Sequence, residues 1–141
     1  MQHLPYFMQW VMVAVMAGAD PSLAVQIAIS PDPALVLAIS WEESRLDRGV
    51  VSRVGACGPM QVLPKYSRFD CKELAGDLGV LGGWEALEYW RGRSRTLEQA
   101  LAHYNGGNKP GKRARAYAKR VLKWRRNLVG PRNSRRNQDG S

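Results

Sequence analysis

Two adjacent glutamates, Glu42 and Glu43, stand at the end of the segment PALVLAISWEES, residues 33–44, which is apolar on every side until Trp41. A helix apolar all round lies buried in the middle of a bundle. A carboxyl at a helix C-terminus meets the unfavourable end of the macrodipole. Set among apolar walls it also loses hydration, and its pKa rises. A carboxylic acid that keeps its proton near neutral pH is a general acid for a leaving oxygen, such as a glycosidic one. The plainer reading is that both side chains reach solvent where the helix surfaces. Helix position and periodicity leave open which reading holds and which glutamate turns inward.

Other chemistries find less support. The two His and two Cys form no ligand spacing such as CxxC or HExxH, so no metal site is expected. No Gly-rich loop joins a strand to a helix, so no nucleotide or other cofactor is implied. A nucleophilic cysteine paired with His103 lacks any local signature. Asp47 is the nearest second carboxyl, four residues beyond Glu43. A continuing helix would place it on the same side, but Gly49 points to a helix already ending and a surface Asp47.

The elements that must position these groups are helical. Asp20-Pro21 and Asp32-Pro33 repeat one start signal, a capping Asp followed by Pro in the first turn. They predict helices beginning near 21 and 33. Residues 49–64, with three Gly and two Pro, read as a loop with local turns. A helix is expected over 84–91, with Trp84, Leu87 and Trp90 or Tyr89 on one side. Thr96 and Gln99 form a capping box for a helix from Leu97 to Tyr104, which Asn105-Gly106-Gly107 ends. The last helix runs over about 112–128. Ala114, Tyr117, Val121, Trp124 and Leu128 make its apolar seam, and Lys and Arg crowd the remaining surface. No alternating pattern is long enough for a strand, and there are no internal repeats. The fold class is all-α, with at most a minimal β or loop element.

At 141 residues the chain makes one domain, with or without a tail. Apolar residues are 45% of it, enough for a core and too many for general disorder. Its charge is lopsided. Residues 1–90 carry 6 basic and 10 acidic side chains, whereas residues 91–141 carry 15 and 2. The basic end points to an anionic partner: nucleic acid, an anionic membrane or a cell wall. The apolar run over 6–19 is short of the roughly 20 residues that span a bilayer. It reads as a signal-peptide core cleaved after Ala17-Gly18-Ala19, as a buried first helix, or as an interfacial or partner-binding helix. The absence of Lys and Arg from the first five residues weighs against the first. The expected division is therefore 1–19 as the apolar segment, 20–128 as the main domain and 129–141 as a disordered basic tail.

Three segments in order carry a family resemblance. Glu43-Ser44, GACGPMQVLP at 55–64 and ALAHYNGG at 100–107 resemble the motifs of the soluble lytic transglycosylase (SLT) domain. Ser52 falls nine residues after Glu43 and Gln61 eighteen after it, matching the family spacing. The resemblance covers about residues 20–125. It implies a lysozyme-like helical fold that cleaves peptidoglycan, and it selects Glu43 as the acid. It further implies that Glu43 protonates the oxygen leaving N-acetylmuramic acid, then acts as base on the C6 hydroxyl of that sugar, giving a 1,6-anhydro product. An internal nucleophile has a high effective concentration, so no second carboxylate is required.

By the same resemblance Ser44, Ser52, Gly58, Met60, Gln61, Tyr104, Asn105 and Tyr117 would surround the substrate. Plainer roles stand beside these: turn glycine for Gly55 and Gly58, core filling for Met60, a C-cap for Asn105 and packing for Tyr117. The family usually has Leu where Pro59 stands and Ala where His103 stands; His103 is expected to be an exposed helix residue. The segment from Pro64 to Thr96 is short for the family, which implies a shallower groove. Cys57 and Cys71, fourteen residues apart, are either a disulfide suited to a periplasmic or virion setting or two unlinked thiols. The implied partner is the peptidoglycan strand, with the basic C-terminal region as an anchor to virion proteins, DNA or anionic wall polymers. A bacteriophage virion enzyme acting in the periplasm or wall during genome entry is the favoured setting. A secretion- or conjugation-associated enzyme, a hydrolytic lysozyme, and a noncatalytic basic nucleic-acid-binding or structural module are the alternatives.

Overall fold

The computed structural model describes residues 3–130. In chain order the helices are α1 (Tyr6–Ala17), α2 (Pro21–Ile29), α3 (Pro33–Ser44), α4 (Cys71–Ala75), α5 (Gly79–Arg91), α6 (Leu97–Gly106) and α7 (Lys112–Val129). A 3-10 turn covers Pro64–Tyr66. Among the described residues β structure is limited to two isolated bridges, Val51 with Cys57 and Cys57 with Val62.

The two Asp-Pro signals start helices where expected. Asp20 Oδ1 accepts from the Leu23 N–H at 3.0 Å, and Asp32 Oδ1 from the Leu35 N–H at 3.0 Å. Each cap satisfies an otherwise orphan donor and is worth about 1 kcal/mol. The same carboxylates carry tertiary links, Asp20 to Arg48 and Asp32 to Arg125 at 2.8 Å.

α3 is the central helix. Every residue from Pro33 to Ser40 is buried, because none of them is charged and neighbours cover all sides. α7 packs along it, α6 packs on α7, and α5 on α6, so the C-terminal half wraps the acidic end of α3. α1 lies against α2 and contributes Trp10 and Ala14 to the core. The tail expected over 129–141 lies, beyond Gly130, outside the described residues.

Three expectations need correction. α5 begins at Gly79, five residues before Trp84, because Gly79, Gly82 and Gly83 are packing surfaces and not breakers. A Cβ on Gly83 would lie 2.3 Å from Met60 Sδ, and one on Gly79 2.4 Å from the Leu74 carbonyl oxygen. Close approach there outweighs the poor helix propensity of glycine. α6 continues through Asn105 and Gly106 to a cap at Gly107, whose N–H meets the His103 carbonyl at 2.7 Å. On α7 the core takes Ala114, Tyr117, Ala118 and Val121, while Trp124 leaves the seam and is 43% exposed. The short helix α4 was missed, although Asp70 and Glu73 spell its capping box.

Candidate active site

α3 ends at the glutamates through its backbone. Arg45 (φ 53) and Leu46 (φ 65) are consecutive left-handed residues, and the Leu46 N–H closes onto the Ser40 carbonyl at 3.3 Å. Such non-glycine residues cost roughly 1 kcal/mol or more each. Burial of Leu46 helps hold the turn. The chain then leaves the helix axis, so Asp47 does not extend the helical face. Asp47 is exposed, and its Oδ1 accepts from the Gly49 N–H at 2.9 Å.

The two glutamates part company. Glu42 turns to α7, where Arg120 Nε meets its Oε2 at 3.2 Å. Glu43 turns inward, and its Oε1 is buried with no hydrogen-bond partner. Desolvation pushes the Glu43 carboxyl up to about 7. Tyr117 and Asn105 favour the ionised form and pull the value back, and the neighbouring Glu42 charge adds a smaller push upward. Burial is therefore the dominant cause. A carboxyl so poised can give a proton and take one back near neutrality.

Two tyrosines wall the acid. Tyr104 on α6 and Tyr117 on α7 are both pushed well above the ordinary phenol value, first by burial and then by the Glu43 charge. The Tyr104 hydroxyl donates to the Met60 carbonyl at 2.5 Å. The Tyr117 hydroxyl is buried and, like Glu43 Oε1, closes no hydrogen bond of normal geometry. Two facing unpartnered groups are where a polar substrate atom would be welcome, since buried polar atoms are seldom left unsatisfied.

The loop over 49–63 forms the opposite wall and is cross-braced. The Gln61 Nε2 donates to the carbonyls of Val50 at 2.8 Å and Gly58 at 2.9 Å, with Gln61 itself at φ 52. The Ser52 hydroxyl accepts from the Ala56 N–H at 3.0 Å. Ser44 binds the loop to α3, donating to Pro59 O at 2.7 Å with Ser40 O at 3.1 Å. Cys57 and Cys71 are joined as a disulfide, Cα atoms 5.4 Å apart, fastening the loop to α4.

The structure thus brings Glu43, Tyr104, Asn105 and Tyr117 together, with Ser44, Ser52 and Gln61 holding the adjoining loop. Three residues placed beside substrate by resemblance have structural places: Met60, Gly58 and Ser44. Met60 is 0% exposed, and its side chain fills the space against Gly83, so only its backbone serves the site. Gly58 (φ 79) is needed for packing: a Cβ there would sit 2.1 Å from the Leu74 carbonyl oxygen. Ser44 is buried between two carbonyls and ties the loop to α3. His103 is half-buried and not exposed; it stacks on Trp90 at 4.9 Å, and its Nδ1 lies 2.7 Å from Gly107 O.

Sequence reasoning missed the Arg120–Glu42 pair. The signal was present: Arg120 follows Tyr117 by one helical turn, so both side chains reach the same end of α3. It also missed a groove of about 570 Å³ whose walls include Tyr66, Arg68, Glu85, Tyr89, Trp90 and Asn108. Arg68 and Glu85 pair there at 2.5 Å. No group of three or more His, Cys, Asp or Glu among the described residues is placed to hold a metal ion.

Fold and site define an all-α domain built around one poised carboxyl. The chain matches the family described as Transglycosylase SLT domain over residues 16–127, most of its length, and it belongs to that family. Membership carries a lysozyme-like fold and a peptidoglycan-cleaving function of the lytic transglycosylase type. Searches of curated proteins and of solved structures give no match.

Proposed function

We propose that the chain cleaves the bond between N-acetylmuramic acid and N-acetylglucosamine with Glu43 as its one acid and base. The observation that carries this is the isolation of Glu43: its carboxyl is raised to about 7, Glu42 is engaged by Arg120, and Asp47 is exposed and turned to Gly49. As the C1–O bond breaks, Glu43 gives its proton to the departing glycosidic oxygen. The carboxylate then takes the proton of the C6 hydroxyl as that oxygen bonds to C1. The acid is restored, no water is consumed and the product is a 1,6-anhydro sugar. Tyr117 and Asn105 favour the carboxylate formed between the two transfers. Ser52, Gln61 and Tyr104 border the substrate.

The setting we propose is a bacteriophage virion, with wall opening during genome entry. The packing of α1 into the core supports its retention in the working protein. The disulfide suits action in the wall or periplasm. The basic C-terminal region would anchor the domain to virion proteins, DNA or anionic wall polymers. Mass spectrometry of digested muropeptides tests the reaction: anhydro ends are expected, and water-terminated reducing ends would replace it by a lysozyme. Finding the Met1 segment intact in purified virions is the expected result for the setting; a mature terminus at Asp20 would contradict it.

A further inference from the structure

α1 has no charged side chain in its twelve residues. It turns Trp10 and Ala14 inward and leaves Met8, Met12, Val15 and Met16 exposed on the opposite arc, Met16 by 79%. Its one amide, Gln9, is folded back onto the Leu4 carbonyl at 2.7 Å. Isolated exposed apolar residues are ordinary, but four sharing an arc make a patch. Apart from Gln9, whose amide is engaged by Leu4, the arc is apolar, so whatever covers it is recognised mainly by hydrophobicity.

The arc leads into an open apolar groove of about 320 Å³ lined by Met16, Leu37, Trp41, Trp124 and Leu128. Trp124 meets Trp41 edge-on at 6.3 Å, and the Arg45 guanidinium lies over Trp41 at 4.8 Å. α7, on the far wall, carries eight Lys and Arg and no carboxylate. The carboxylates it meets, Glu42 and Asp32, are already paired by Arg120 and Arg125. The groove therefore has apolar walls, indole at its mouth and the Arg45 guanidinium on its border, beside a helix rich in Lys and Arg.

We propose that α1 and the adjoining flank of α7 form a docking face for an anionic phospholipid surface. The chemistry of both parts is needed. Apolar insertion alone binds a bilayer marginally, and basic side chains supply the second attraction, to anionic headgroups. Indole rings favour the headgroup level, and Lys and Arg stems lie along apolar surface with their charges in water. No described helix is long and apolar enough to cross a membrane. At 1.5 Å per residue α1 spans about 18 Å against a hydrocarbon core of about 30 Å, so it lies along the surface. DNA would use the charge and leave the α1 arc in water. A second copy of the chain would cover the arc and set two basic helices against each other.

Co-sedimentation of the full chain with phosphatidylglycerol vesicles, beside phosphatidylcholine vesicles, tests this. Binding to the anionic vesicles is expected to be at least about tenfold tighter and to weaken with salt. Combining Met12→Glu with Met16→Glu is expected to weaken binding by about tenfold or more, and combining Arg45→Glu with Lys123→Glu by a similar factor. All four side chains are exposed, so thermal melts should stay near wild type. Trp124 emission is expected to shift to the blue on anionic vesicles, and Trp124→Phe to remove that shift. Glu43→Gln is expected to bind as wild type does, which separates this outcome from that of the catalytic reading. Equal weak binding to both vesicles, unchanged binding by the methionine pair, or a dimer in sedimentation velocity that the methionine pair dissociates would each overturn the proposal.

Discussion

Arg120 on α7 holds Glu42 at 3.2 Å across 78 residues of chain, and the glutamate beside it has no counter-ion and a buried Oε1 without a partner. The pair neutralises one of two adjacent charges and leaves the other to burial. Without its counter-ion, Glu42 would push the Glu43 carboxyl higher still. Arg120→Met is expected to move the descending limb of kcat/KM upward by about half a pH unit. Arg120→Lys should restore it. The pair is partly exposed, so the stability change should stay under about 1 kcal/mol. A pH profile of glycan turnover reads the effect.

Glu43 also predicts how stability varies with pH. Its folded value is about 7 against 4.5 for the free side chain, so the folded state prefers the protonated form. That preference is fully present below 4.5 and is lost as pH rises towards and through 7. The loss is worth roughly 3 kcal/mol once complete. Glu43→Gln, which keeps the shape and has no proton to lose, should match wild type at pH 4 and exceed it at pH 8. Urea melts at the two pH values measure this, and equal differences at both would contradict the burial account.

The two tyrosines should separate fold from function. Tyr104→Phe removes the donor to the Met60 carbonyl and leaves that acceptor unpaired, at about 1–3 kcal/mol. Tyr117→Phe removes a hydroxyl that closes no hydrogen bond of normal geometry and favours only the ionised Glu43, so folding stability at acid pH, where Glu43 is protonated, should stay near wild type. Because Tyr117 favours ionised Glu43, its loss should raise the pH at which activity declines. Thermal melts and pH profiles of both variants check the contrast.

Gly83→Ala should destabilise by about 1–3 kcal/mol, although alanine is the better helix former. The added methyl would meet Met60 Cβ at 2.6 Å. Displacing Met60 also displaces the carbonyl that orients Tyr104, so turnover should fall more than unfolding explains. Cys57→Ser with Cys71→Ser should cost about 3 kcal/mol by freeing the loop between them. Denaturant titration reads both.

Much of this was legible in the sequence. The Asp-Pro starts, the helical class and the last helix follow from local rules, and local contacts satisfy them. The inward glutamate came from the motif resemblance and not from local rules, because Glu42 and Glu43 differ only in which neighbour each meets, and Arg120 lies far along the chain. The start of α5 was hidden because glycine reads as a breaker until the atoms filling its missing Cβ are seen. Met60 misled for the same reason: a methionine in a motif suits a groove or a core, and only the approach of Gly83 decides. Trp124 fits the apolar period of α7 and meets Trp41 of α3 edge-on, yet it borders an open groove and so remains 43% exposed.

The central claim is that Glu43 alone serves as acid and base. It is tested most directly by the muropeptide spectrum from wild type beside Glu43→Gln. Wild type is expected to release anhydro-ended fragments, and the variant to lose at least about 100-fold in rate with its fold intact. Water-terminated ends from wild type, or substantial turnover by Glu43→Gln, would contradict it.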